Sequence, residues 1–231
     1  MVICLVTDRR RLGAAIGARP PELIDALHEQ VTAAAEVGID FVQIREPDLD
    51  ARALTDLVRS LIAGCRGSPT RILVNDRLDV AIAAGAAGVH LKENSITPEL
   101  ARCLMSTSAR ASLDQRHLVT CAVHTPLTAT ARHSADLLIA GTVLPTVSKS
   151  PTDYLEWKGL KKVIGAAKGT PVLGIGGLDL DSIPSLAASG AAGLAAIGAF
   201  IPPPGLGRLK EFVKKRVTDM RFVFDSAPTD P

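Results

Sequence analysis

The sequence predicts an α/β fold, a single (β/α)8 TIM barrel of the phosphate-binding type, on three observations. Eight short apolar runs alternate with helical patterns along the 231 residues. A phrase made of a helical stretch, a Gly and a short apolar run recurs as Ala35-Glu36-Val37-Gly38-Ile39-Asp40-Phe41-Val42, as Ala84-Gly85-Ala86-Ala87-Gly88-Val89-His90 and as Ser189-Gly190-Ala191-Ala192-Gly193-Leu194-Ala195. Its leading glycines are spaced close to two and four units of roughly 25 residues, the length of one strand plus one helix with loops. Glycines also follow the last two apolar runs, where barrels of this type hold phosphate.

The strands are expected at 2–7, 41–45, 72–75, 88–91, 118–123, 136–140, 172–175 and 193–197. Each leading Gly of the phrase reads as a left-handed cap closing a helix, and the run after it as a strand buried on both faces. Between the second and third strands, Leu54, Leu57, Val58, Leu61 and Ile62 recur at helical spacing, with Asp50 placed to cap that helix. A doubly wound open sheet is the competing arrangement, weakened because no G-x-G-x-x-G follows the first strand. The barrel is expected to occupy residues 1–217, and 218–231, which run into Ser, Pro and Asp, to form a partly ordered tail.

Composition sets the limits of function. Hydrophobic residues make up 47% and charged residues 22%, enough for one large core and against global disorder. Lys plus Arg is 26 against 24 Asp plus Glu, so no whole-protein field gathers nucleic acid or an anionic membrane, and a bound anion must be held locally. Aromatics at 3% argue against base-stacking platforms. The apolar start is too short for a signal peptide and is closed by Asp8, Arg9, Arg10 and Arg11. The uncharged stretch 183–207 is rich in Gly and stopped by Pro202-Pro203-Pro204, so it reads as buried helix and strand rather than a membrane span. Cys4, Cys65, Cys103 and Cys121 form no C-x-x-C pair and are expected as reduced core thiols of a cytoplasmic protein.

Chemistry in such a barrel sits at the C-terminal ends of the strands. Strand two ends in Val42-Gln43-Ile44-Arg45-Glu46, and alternation puts Gln43 and Arg45 on one face. That amide and guanidinium suit a heterocycle and a phosphate; a solvated strand end with Arg45 paired to an acid is the plainer alternative. Strand three ends in Asn75-Asp76-Arg77, where Asp76 can cap the next helix or hold Mg²⁺. Strand four ends in His90-Leu91-Lys92-Glu93-Asn94, and strand five in Ala122-Val123-His124-Thr125, which makes His124 a candidate proton carrier or a structural His. The loop after strand six contains Thr146, Ser148 and Lys149 and reads as a lid carrying phosphate donors, although a plain surface loop has the same composition. Gly176 and Gly177 after strand seven, with Gly198 after strand eight, leave backbone N–H groups bare for a phosphate.

These phrases together resemble a known family, that of thiamin-phosphate synthase and its relative TenI, the thiazole tautomerase. They are Val42-Gln43-Ile44-Arg45-Glu46, Val74-Asn75-Asp76-Arg77-Leu78-Asp79-Val80-Ala81, Ala87-Gly88-Val89-His90-Leu91, His124-Thr125, Pro145-Thr146-Val147-Ser148-Lys149 and Gly174-Ile175-Gly176-Gly177-Leu178, in the family's order across residues 2–201. For the synthase the resemblance implies that Gln43, Arg45 and Asn75 contact an aminopyrimidine diphosphate and that Asp76 helps hold Mg²⁺. It implies that Thr146, Ser148 and Lys149 serve the substrates from the lid, and that Gly177, Ile197 and Gly198 grip a thiazole phosphate. The synthase ionises the C–O bond to diphosphate and the thiazole nitrogen captures the pyrimidine carbocation. Three positions depart from its pattern: Pro47 where it usually has Lys, Ser95 where its second Mg²⁺ carboxylate falls, and Ala122 where it has Ser. All three lie on the diphosphate and metal side. The expectation therefore leans to the tautomerase, with His124 as proton carrier, Arg45 and Lys149 beside it, and no cofactor; the synthase with Mg²⁺ is the alternative. A non-catalytic thiazole-phosphate sensor is a third reading, and a homodimer is an expectation that resemblance alone supplies.

Overall fold

A computed structural model describes residues 1–107, 117–146 and 154–227. Its strands are β1 (Val2–Val6), β2 (Phe41–Ile44), β3 (Arg71–Asn75), β4 (Gly88–Leu91), β5 (Leu118–Val123), β6 (Leu137–Gly141), β7 (Val172–Ile175) and β8 (Gly193–Ala196). They pair in parallel in chain order, and β8 returns to β1, so the sheet closes into a barrel. The helices are α1 (Arg9–Ile16), α2 (Leu23–Glu36), α3 (Ala51–Gly64), α4 (Leu78–Ala84), α5 (Pro98–Ser106), α6 (Pro126–Ala131), α7 (Glu156–Ala166), α8 (Ile183–Ala188) and α9 (Leu209–Asp225). The open-sheet alternative is thereby excluded.

The recurring phrase has a physical cause at both of its glycines. Gly38, Gly85 and Gly190 have φ of +70°, +72° and +82°, the left-handed turn in which a side chain is strained. In the second and third copies a further Gly opens the strand, and a Cβ on Gly88 or Gly193 would overlap the carbonyl oxygen of Leu118 or Val2 on the neighbouring strand. The first copy has Phe41 at the strand opening instead, partly buried inside the barrel against the cluster that contains Cys4.

Strand alternation sorts side chains into two populations. Val42, Ile44, Ile72, Val74 and Val89 face the helices in the main core, while Cys4, Val6, Leu137, Ile139, Leu173 and Ala195 fill the barrel interior. The β2–β5 side of the interior is polar instead, with Gln43, His90 and Thr120 buried. Helix α3 starts where expected, since Asp50 accepts from the Ala53 N–H at 2.8 Å, and it buries Leu54, Leu57, Val58 and Leu61.

Two expectations are corrected. Helix α9 carries the ordered body well past residue 217 to Asp225. Leu209, Val213, Val217 and Met220 form its buried stripe, and Arg221 donates to the Gly38 carbonyl at 2.6 Å and to Asp40 at 2.9 Å. The polar composition of that segment had hidden an amphipathic period. Of the thiols, Cys4, Cys65 and Cys121 are buried, but Cys103 is exposed on α5. The uncharged 183–207 stretch resolves into α8, β8 and short turns, and among the described residues no helix is long and apolar enough to cross a membrane.

His90 gives this fold a pH signature. Its Nδ1 lies 2.9 Å from Thr120 Oγ1 inside the barrel, and burial pushes its pKa down to about 4 despite the Asp76 charge. The unfolded chain, with an ordinary imidazole near 6.5, binds the proton first. This contribution is complete above pH of about 6.5 and declines as pH falls to about 4, by on the order of 3 kcal/mol. Urea unfolding across this range should show that slope in the parent protein and a flatter one in His90→Gln; equal slopes would refute the assignment.

Candidate active site

The strand ends gather most of the expected residues at one mouth. Gln43, on β2, donates through Nε2 to Asn75 Oδ1 on β3 at 2.8 Å. Its Oε1 is buried and unpartnered among the described residues, an acceptor that a ligand N–H would satisfy. Arg45 follows β2, where its N–H donates to Thr7 Oγ1 at 2.9 Å. Its guanidinium is exposed and pairs with no acid among the described residues, so the plain ion-pair alternative is not realised.

A buried charge cluster fixes the loop that presents Arg45. Arg9 at the start of α1 donates to Glu46 at 2.8 Å and to both Asp48 oxygens at 2.7 and 2.6 Å. Burial raises the Glu46 pKa against its bonds to Thr7 and Arg9, whereas the Arg9 guanidinium holds Asp48 at about 2.

Asp76 does not cap α4: the residue in that position is Arg77, and no side chain caps the helix. The Asp76 carboxylate instead spans to the end of β4, where Oδ2 lies 2.7 Å from Lys92 Nζ and Oδ1 accepts from the Ser95 hydroxyl. Its burial opposes ionisation, but the hydrogen bonds from Lys92 and Ser95 and the Lys92 charge bring it below the usual carboxylate range. This donor set does not fit Mg²⁺. The hard cation needs open oxygens in octahedral array, yet one Asp76 oxygen faces an ammonium, the other a hydroxyl donor, and no cluster of three His, Cys, Asp or Glu suited to a metal occurs among the described residues.

His124 lies just beyond β5, partly exposed, with Nδ1 3.0 Å from Glu93 Oε2. A carboxylate on one ring nitrogen orients the other toward solvent or ligand.

On the opposite side, Gly176 and Gly177 have φ of +100° and +67°. The Leu144 N–H donates to the Gly176 carbonyl at 3.0 Å, and a Cβ on Gly177 would overlap the Pro145 carbonyl oxygen and lie 2.7 Å from that of Leu144. The glycine turn therefore packs directly against the segment that leads to Thr146. Ile197 precedes a single 3-10 turn, Gly198–Phe200, and a Cβ on Gly198 would come within 3.0 Å of Arg11 Nη2. Ser148 and Lys149 lie outside the described residues.

Sequence reasoning missed Arg11, Lys92 and Glu93. Arg11 stood in a run of three arginines, and only the Asp8 cap, which accepts from its N–H at 3.0 Å, sets which of the three turns toward β8. Lys92 was legible in principle, because alternation places it on the same side as His90.

A model of the thiamine monophosphate synthase family matches residues 15–200. The chain belongs to that family. It is 35% identical over 202 residues to a putative thiamine-phosphate synthase of Geobacter sulfurreducens, covering 87% of this chain and 86% of that one. It is 33% identical over 205 residues to the thiamine-phosphate synthase of Roseiflexus castenholzii, covering 88% and 82%. A solved structure, thiamine phosphate pyrophosphorylase from Pyrococcus furiosus, superposes with TM-score 0.74 at 24% identity over 96% of each chain, a likeness of fold. The family is thus one of thiamin-biosynthesis enzymes built on this barrel.

The glycine turn can be tested against a glycine in open space. Nothing would meet a Cβ at Gly190, whose φ is also left-handed, so Gly190→Ala should cost only about 1–2 kcal/mol for the backbone conformation. Gly177→Ala adds the carbonyl overlap and should cost clearly more in thermal unfolding. Equal losses would mean that the turn does not press on the 142–146 segment.

Proposed function

We propose that the chain is a thiamine-phosphate synthase in activity, joining an aminopyrimidine diphosphate to a thiazole phosphate with release of pyrophosphate. The names of its relatives support this coupling better than the tautomerase that Pro47, Ser95 and Ala122 favoured. The observation that carries the reading is the division of the mouth into two ends, each with a guanidinium that pairs with no acid among the described residues. Arg45 stands on one side beside the Gln43–Asn75 amide pair, and Arg11 on the other beside Gly198. Two phosphorylated substrates need two such ends; a tautomerase substrate has one phosphate, and its other anion is a singly charged carboxylate rather than a diphosphate.

In this reading Gln43 Oε1 accepts from the amino group of the pyrimidine, and Asn75 holds the Gln43 amide in place. Arg45 faces the diphosphate, while for Ser148 and Lys149, outside the described residues, the resemblance alone implies a part in serving the substrates. When the C–O bond breaks, its electron pair leaves on the diphosphate oxygen, and the thiazole nitrogen lone pair forms the new C–N bond. The cations lower the cost of that departing charge. Thr146 and the N–H groups at Gly177, Ile197 and Gly198 hold the thiazole phosphate with Arg11.

Purified protein given both substrates should release pyrophosphate and form the coupled product. Arg45→Ala should lower kcat/KM by about 10- to 100-fold, the loss of one charge-assisted contact. A second reading rests on the His124–Glu93 pair, an imidazole held by a carboxylate as a proton carrier would be. Tautomerisation of a thiazole carboxylate phosphate that vanishes in His124→Ala, with no coupling, would put that reading in place of the synthase. Tight phosphate-ligand binding with no turnover of either kind would instead identify a sensor.

The thiazole-phosphate end has its own test. Arg11→Gln should weaken binding of the thiazole phosphate in calorimetry by about tenfold or more, while binding of the unphosphorylated thiazole alcohol stays unchanged. Gly198→Val, which crowds the Arg11 guanidinium, should act in the same direction. An unchanged phosphate affinity in folded Arg11→Gln would remove Arg11 from the site.

A further inference from the structure

Asp76 has the position of a metal ligand and the partners of an ion-paired carboxylate. Its backbone has φ of +58°, and its N–H donates to the His90 carbonyl at 2.7 Å, so the residue is locked between the ends of β3 and β4. From there Asp76 holds Lys92 Nζ at 2.7 Å on one oxygen and the Ser95 hydroxyl on the other. Asn75, the partner of Gln43, is its chain neighbour. The pair therefore lies beside the amide that would seat the pyrimidine, on the side of the mouth where the diphosphate would leave.

We propose that Lys92, tethered by Asp76 and Ser95, takes the electrostatic place of a divalent cation, so that this chain binds and releases its diphosphate without a metal. The proposal rests on the coupling reading above. A lysine ammonium supplies one positive charge and three N–H donors and asks for no octahedral shell. Lys92 is two-thirds exposed, and its four-carbon stem would roam without an anchor. Asp76 holds one donor and leaves the other two for phosphate oxygens. Ser95 completes the anchor: its hydroxyl donates to the oxygen that Lys92 leaves, where a carboxylate at that position would repel Asp76 and call for a divalent ion. Pro47 fits the same exchange, because the cation absent after β2 is present after β4. In the coupling step the C–O electron pair goes to the diphosphate, the ammonium neutralises part of the new charge, and Lys92 keeps its proton throughout.

A plain surface ion pair would have the same distance and little energetic effect, and binding of inorganic pyrophosphate and of Mg²⁺ alone separates the two. In EDTA the parent protein should bind pyrophosphate, and Lys92→Gln, folded by circular dichroism, should bind it at least tenfold more weakly. Calorimetry with Mg²⁺ alone should show no binding to the parent at millimolar concentration, whereas the double variant Lys92→Gly, Ser95→Asp should bind it. Pyrophosphate binding that is absent from the parent in EDTA, or unchanged in Lys92→Gln, overturns the proposal. Mg²⁺ binding by the parent that Asp76→Asn abolishes does so equally. Failure of the coupling reading shows separately, as absent turnover in a protein that still binds pyrophosphate through Lys92.

Discussion

The barrel depends on how closely its last strand can approach its first. Val2 and Gly193 are register partners, and at that point the β1 carbonyl occupies the space of a Cβ. With glycine there the ring closes, and closure, rather than any side-chain motif, carries Gly198 at the end of β8 against Arg11 at the start of α1. A chain position near 200 and one near 10 thereby share one end of the mouth. The same close approach at Gly88 sets β4 against β5 and lines up Asn75, His90 and Thr120 as register neighbours on the polar side of the interior.

Three consecutive arginines show how helix geometry divides one chemical type among different tasks. Arg9 is buried and spends its donors on Glu46 and Asp48; Arg10 is largely exposed and meets Asp48 at 2.7 Å from the outside; Arg11 turns to the β8 loop. Successive helical residues point about 100° apart, so the run spans a little over half a turn. The first arginine positions the loop that carries Arg45, and the third stands at the opposite end of the mouth. A single short helix thus contributes to both ends of the site.

Much of the fold was legible in the sequence because its signals are local. Strand alternation, glycine caps and the Leu54–Leu61 period depend on neighbours a few residues away, and the eight strands fall where those signals place them. Composition alone stops the expected barrel at residue 217, whereas the helical period runs on: Val217, Met220 and Arg221 continue the buried face and its anchor. The candidate site was legible in its residue types but not in its pairings. Gln43 and Asn75 each stand out at a strand end, but their hydrogen bond is a property of the β2–β3 register. Ser95 reads in the sequence as a missing carboxylate, whereas its contact with Asp76 and that of Lys92 belong to the β3–β4 junction. Arg11 carries no sequence signal beyond a basic run, since its neighbour arrives from the far end of the chain.

The turns at Gly176, Gly177 and Gly198 also bear on how this mouth can change through descent. A surface made of main-chain amides presents no side chain for selection to alter, while substitution of its own glycines meets the Thr142 side chain, carbonyl oxygens or the Arg11 guanidinium. That end is conservative by construction. Positions 47, 92, 95 and 122 carry side chains, so a substitution there exchanges one chemical group for another without touching the main-chain turns.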